Sequence, residues 1–159
     1  MGQSAVKTVI FTNFWDIEAL LKQPKCPVER LSVYSIALGC PLMDKFPNVS
    51  KHFKTFERLD CFCPTYKLLD DYKAKRCGWG EYVSVFKNLL IERKSVILRW
   101  IDSLEENRIY VLCCWENTSS KDVHCHRQLI YGAFKNSART KDKAIYIYRN
   151  GDETKDLWV

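Results

Sequence analysis

No window of the chain approaches the roughly 18 consecutive apolar residues that a membrane span requires. Its longest apolar runs are strand-sized pieces such as "TVIF". A membrane protein is therefore not expected. The opening stretch "MGQSAVKTVIF" has neither a long apolar h-region nor a small-residue cleavage site, so no secretory signal is expected. Val6 stands where the myristoylation pattern requires Ser or Thr. Neither G-x-G-x-x-G nor a P-loop is present, and glycines in "GCP" and "GWG" read as turn punctuation. No internal repeat or low-complexity linker divides the sequence. These absences exclude the glycine-loop nucleotide folds and leave a soluble, cytoplasmic globular protein as the expectation.

What is present fits one core. A chain of 159 residues is the length of a single domain, and one of this size buries about two thirds of the surface its unfolded form exposes. Apolar residues at 47% and charged residues at 28% argue against disorder and fibrous repeats. A net charge of +6 favours acidic partners. A phosphate-bearing small molecule and nucleic acid are both compatible with it, as is a merely solvated basic surface, because Lys and Arg are spread along the chain with no block denser than "YKAKR" or "NSARTKDK". The oligomeric state is not encoded in any pattern we recognise. Eight cysteines in a chain with a helix-and-strand core and no export signal point to reduced thiols rather than a disulfide framework.

Val6 to Phe14 and Leu31 to Leu38 are β-branched or aromatic runs of the kind that make buried strands. Between them "WDIEALLKQ" puts Ile17, Leu20 and Leu21 on one helical face. From Pro41 to Cys63 periodicity is weak, and Phe46, Phe53, Phe56 and Phe62 are expected to pin a long loop to the core. A helix is expected from Pro64 to the end of "YKAKR". A second has Tyr82, Val85, Phe86, Leu89 and Leu90 at spacings of three and four. A third is capped by Ser95 and runs to about Asn107. Arg108 to Trp115 reads as a strand, "CHRQLIYGAFKN" as a helix from about His124, and Lys143 to Arg149 as a closing strand. Strands alternating with helices predict an α/β fold: a single-domain layered sandwich over residues 1–150, with a mainly parallel, Rossmann-like sheet flanked by helices and a C-terminal tail at 151–159. Leu157 and Trp158 in that tail point to docking or to a partner.

In such a sheet, ligands gather beyond the carboxyl ends of the strands, where loops run into helix N-termini. "YVLCCWENTSSKDVHCHRQLIYGAF" is built that way. A thiol at the start of the helix gains from the dipole and from Arg127, which makes Cys125 the candidate nucleophile or redox thiol. Its bland alternative is a small buried residue. Cys113 and Cys114 project to opposite faces of their strand, so at most one faces Cys125 and the other is core. Arg127, His124 and the helix N-terminus are candidates for holding an anion. Glu116 or His126 could transfer a proton, and Glu116 with Arg127 could equally form a plain surface ion pair. Zinc held by Cys113 or Cys114 with His124, Cys125 or His126 would need adjacent ligands in place of the usual gap of two to four residues. No metal or cofactor is therefore expected. "DCFCP" is a C-x-C, most simply buried beside Phe62.

The block "PTYKLLDDYKAKRCGWGEYVSVFKNLL", a helix, and then "VLCCWENTSSKDVHCHRQLIYGAF" together resemble the domain of unknown function 488 family. Its Cys-x-Glu strand end and Cys-His-Arg helix start fall on Cys114, Glu116, Cys125, His126 and Arg127. Tyr72, Lys73 and Tyr82 take the upstream positions. The resemblance spans roughly residues 30 to 136 and is strongest in the last forty. It departs in a loop between Cys114 and Cys125 a few residues longer than usual, and in Cys113 and Cys61 to Cys63, which have no counterpart. It implies an α/β fold with these residues as a functional unit, and it names no substrate. The expectation is a small enzyme acting through a reactive cysteine on a phosphate-bearing or nucleotide-like substrate. A non-catalytic nucleotide or nucleic-acid module with structural cysteines is the alternative.

Overall fold

The computed structural model describes residues 7–38, 45–52, 57–115, 124–149, 151–154 and 157–158. Its centre is a five-stranded sheet in which every pairing is parallel. The strands are β1 (Thr8–Asn13), β2 (Leu31–Ser35), β3 (Glu57–Arg58), β4 (Ile109–Cys114) and β5 (Ala144–Ile147), in the order β3-β2-β4-β1-β5. The layered parallel architecture is the one expected. The doubly wound order 3-2-1-4-5-6 has β1 next to β2, whereas here β4 is inserted between them.

β1 and β4 are buried at every position, as central strands covered on both faces must be. β2 alternates buried and half-buried residues, because Ser32 and Tyr34 face a part of the sheet that is only partly covered.

The helices are α1 (Phe14–Leu21), α2 (Pro47–His52), α3 (Tyr66–Lys73), α4 (Trp79–Glu92), α5 (Lys94–Asp102) and α6 (His126–Asn136). α1 packs on α2, and α3, α5 and α6 each pack on α4. The strand order explains the division. Connections leaving β1 and β2 run toward the β3 edge, and those leaving β3 and β4 run back toward β5. Right-handed crossovers then put the two sets on opposite faces.

Several expected boundaries shift for local reasons. α1 begins directly at the end of β1 because Asn13 Oδ1 accepts the Asp16 N–H at 2.8 Å and caps the helix. α3 starts after Pro64, at the N-cap Thr65, and stops before "KAKR" is complete. Lys75 adopts φ 61°, a left-handed conformation that ends a helix. Ser95 is not a cap: α5 follows α4 across Arg93 alone. It also ends at Asp102, short of Asn107, which turns the chain into β4 at φ 66°.

The segment expected to be an aperiodic loop contains α2 and β3. Phe46 is fully buried among Phe14, Trp15 and Trp115. Phe62 is fully buried between Trp100 and Phe134. Phe53 and Phe56 lie outside the described residues. The tail docks: Leu157 joins the core and the Trp158 carbonyl accepts from Arg30 Nη1 at 3.0 Å. Among the described residues, no helix is long and apolar enough to cross a membrane.

Candidate functional site

β2 and β4 lie side by side, yet the chain leaves them toward opposite edges of the sheet. A crevice opens beyond their carboxyl ends at such a reversal. A cavity of about 200 Å³ occupies this place, lined by Ala37 and Leu38 after β2, Trp115 after β4, His126 at the start of α6, and Pro64, Leu69 and Lys73 from α3 and its approach. It has an apolar wall, an imidazole and one exposed ammonium group.

Behind His126 the predicted residues form a continuous chain of contacts. Cys114, the last residue of β4, is fully buried, and Cys125, the N-cap of α6, is 2% exposed. Their sulfurs are 2.9 Å apart. Arg127 Nη1 donates to Cys114 Sγ at 2.6 Å, and the whole Arg127 side chain is buried. His126 Nδ1 lies 3.7 Å from Cys125 Sγ, while its Nε2 is 2.7 Å from the Ile36 carbonyl just past β2. A carbonyl only accepts, so it places the proton of a neutral imidazole on Nε2 and leaves Nδ1 with a lone pair aimed at the thiol. Phe86 of α4 packs edge-on against the imidazole ring and fixes its plane.

Local chemistry assembles this unit. Cys125 has extended backbone (φ −140°, ψ 142°), and its N–H donates to Gln128 Oε1 at 3.2 Å, so the helix starts just where its sulfur faces the end of β4. Alternation along β4 sends Cys114 to the α6 side and Cys113 to the other face. Cys113 is core, and burial pushes its thiol well above the usual range, with the Cys114 charge adding to the effect.

The structure therefore brings together Cys114, Cys125, His126 and Arg127. Arg127, expected to hold an outside anion, instead directs its Nη1 at a sulfur. His124 is exposed and its ring stacks on Trp79 of α4, with centroids 4.6 Å apart and planes at 13°. Glu116 lies outside the described residues. Three contributors to the site leave no local signal in the sequence. The Ile36 carbonyl is backbone and leaves no trace in residue type. Lys73 and Leu69 belong to a helix far away in sequence, and only the family resemblance marked Lys73. Among the described residues, no group of three or more His, Cys, Asp or Glu side chains is arranged to hold a metal ion.

The second cysteine cluster is chemically different. Burial pushes Cys61 up to about 11 and Cys63 up to about 12. Cys63 Sγ donates to the Leu59 carbonyl at 3.4 Å. Arg93, one of two nearby cations with Arg58, directs Nη1 to the carbonyls of Asp60, Cys61 and Cys63 at 3.2, 3.4 and 2.5 Å.

Comparison with known proteins returned no matching family model, no matching curated protein and no matching solved structure.

Proposed function

We propose that this protein is a small enzyme acting through the Cys125 thiol on a substrate with an anionic, phosphate-like group, and that it is a divergent relative of the domain of unknown function 488 family. One observation carries the reading. A thiol pair is held between an imidazole, whose Nδ1 lies 3.7 Å from the Cys125 sulfur, and a buried guanidinium, and that imidazole also lines a cavity at the carboxyl edge of a parallel sheet. His126 Nδ1 takes the Cys125 proton, the α6 N-terminus favours the resulting negative charge, and Arg127 balances charge on the paired sulfur. Lys73 and the first turn of α6 bind the substrate anion, a role that passes to Lys73 because Arg127 is turned inward. The described signature residues Cys114, Cys125, His126 and Arg127 lie in one chain of contacts, and this supports the family reading.

The test is alkylation by iodoacetamide at pH 7, with peptide mapping by mass spectrometry. Cys125 should be modified ahead of Cys61 and Cys63, and inorganic phosphate should slow that modification. An unreactive Cys125 beside a labelled Cys61 ends the thiol reading.

The exposed stack of His124 on Trp79 favours a second reading, a non-catalytic module in which a nucleobase adds to that stack. It predicts nucleotide affinity that falls steeply with salt and is unchanged by Cys125→Ser.

A further inference from the structure

Two sulfurs in contact inside a protein are set up for a reaction that a single nucleophilic cysteine does not need. Cys114 and Cys125 come from different elements, β4 and the N-cap of α6, and lie 11 positions apart, so the fold and not chain proximity holds them at 2.9 Å. The two ends of the pair differ. Cys125 has the imidazole lone pair and Cys114 has the guanidinium. That asymmetry assigns them different roles.

We propose that Cys114 and Cys125 form a two-cysteine redox centre that reduces a small hydroperoxide, with Cys125 attacked first and Cys114 closing the disulfide. The inference rests on the thiol chemistry proposed above, independently of the anionic substrate, and takes a small hydroperoxide as the molecule that the thiol attacks. Burial selects the oxidant: with Cys114 fully buried and Cys125 2% exposed, a protein or glutathione disulfide is too large to be attacked, whereas hydrogen peroxide or a short alkyl hydroperoxide is not.

In the first step His126 Nδ1 takes the Cys125 proton and the thiolate sulfur attacks the outer oxygen of the hydroperoxide. The O–O bond breaks, the alkoxide leaves with the proton returned by His126 as an alcohol, and Cys125 becomes a sulfenic acid. In the second, Cys114 Sγ, held by Arg127 Nη1, attacks the Cys125 sulfur. The S–O bond breaks, and the departing hydroxide combines with the proton given up by Cys114 to form water. Two thiols and one hydroperoxide thus give one disulfide, one alcohol and one water, with the sulfurs oxidised by two electrons and the peroxide reduced by two. A small external thiol or dithiol must restore the pair by exchange.

The experiment treats the full chain, after complete reduction and removal of reductant, with one equivalent of hydrogen peroxide. Intact-mass analysis should show the loss of two hydrogens, and proteolysis without reduction should give one crosslinked peptide pair joining Cys114 to Cys125. Dithiothreitol should reverse both changes. Cys61→Ser and Cys63→Ser should leave the crosslink unaltered. Cys114→Ser should stall at a sulfenic acid on Cys125, captured by a cyclic 1,3-diketone, and Cys125→Ser should capture at least tenfold less.

Oxygen addition without a crosslink, or a crosslink between other cysteines, overturns the proposal; these readouts use the native chain and need no variant to fold. Capture on Cys114 in Cys125→Ser, with none on Cys125 in Cys114→Ser, overturns the order of attack. Iodoacetamide labelling of the same samples separates the two readings. A Cys125 that alkylates at pH 7 but forms no disulfide keeps the thiol reading and ends this one. A disulfide that forms while phosphate has no effect on alkylation keeps this one and ends the anionic-substrate reading.

Discussion

Cys61 and Cys63 flank Phe62 in sequence much as Cys114 and Cys125 sit among aromatics and histidines, and residue type alone gives little reason to rank one pair over the other. Their surroundings separate them. Around Cys63, burial outweighs the opposing charges of Arg58 and Arg93; Arg58 pairs with Asp60, and Arg93 is directed at three carbonyl oxygens. Around Cys114 the corresponding cation, Arg127, is directed at the sulfur itself, and a base faces the partner thiol. A buried thiol with no group to share its charge is packing; with a base on one side and a cation on the other it is chemistry.

The largest contrast is expected in alkylation rate. With Cys61 raised to about 11 and Cys63 to about 12, their thiolate fractions at pH 8 are about a hundredfold and about a thousandfold below those of the unfolded chain's cysteines. Iodoacetamide labelling in buffer and in urea should show those ratios. Rates near the unfolded values in buffer would erase the distinction between the clusters.

The two arginines give the next largest difference. Arg127→Met removes a fully buried guanidinium whose Nη1 donates to the Cys114 sulfur and, as the loss of a hydrogen bond from a charged group, should cost about 1.5–3 kcal/mol in urea unfolding. Arg93→Met removes the donor to three carbonyls whose hydrogen bonds are exposed or part-buried, and should cost about 1–2 kcal/mol. Equal costs would mean that the Arg127 contact carries no special weight.

Alkaline stability sharpens the same point. Cys26, Cys61, Cys63 and Cys113 all have thiols raised in the folded state. A raised folded value makes the unfolded chain the first to lose its protons, so the stabilisation is complete below about pH 9 and is lost as pH rises toward 11 and 12. Unfolding midpoints measured from pH 7 upward should stay level and then fall above pH 9. Cys63→Ala should make the fall shallower. The smallest effect belongs to Thr65, whose Oγ1 accepts the Leu68 N–H at 3.1 Å and starts α3 two residues after Cys63. Thr65→Ala should cost about 1 kcal/mol and leave the reactivity of Cys125 unchanged.

The elements nearest the site were the most legible. "IYVLCC" is a continuous apolar run that only a strand buried on both faces accommodates, and Ile130 and Phe134 carry the helical period of α6. The short helix α2 and the two-residue β3 were missed because neither is long enough to establish a period. Glu18 of α1 helps to hold α2 by accepting the Asn48 N–H, a contact between residues 30 apart that no local pattern encodes.

Sequence alone determined the class of the fold, the strand-to-helix unit around Cys114 and Cys125, and the rule that Cys113 and Cys114 face opposite ways, because periodicity and capping act over a few neighbouring residues. Tertiary structure decided the rest. It seated β4 between β1 and β2, turned Cys114 toward α6, aimed Arg127 at sulfur instead of solvent, and brought the Ile36 carbonyl to His126 to set its tautomer. The site's contacts span 11 to 90 positions of chain, and all of these arrangements are fixed by which surfaces bury each other and not by what any segment prefers by itself.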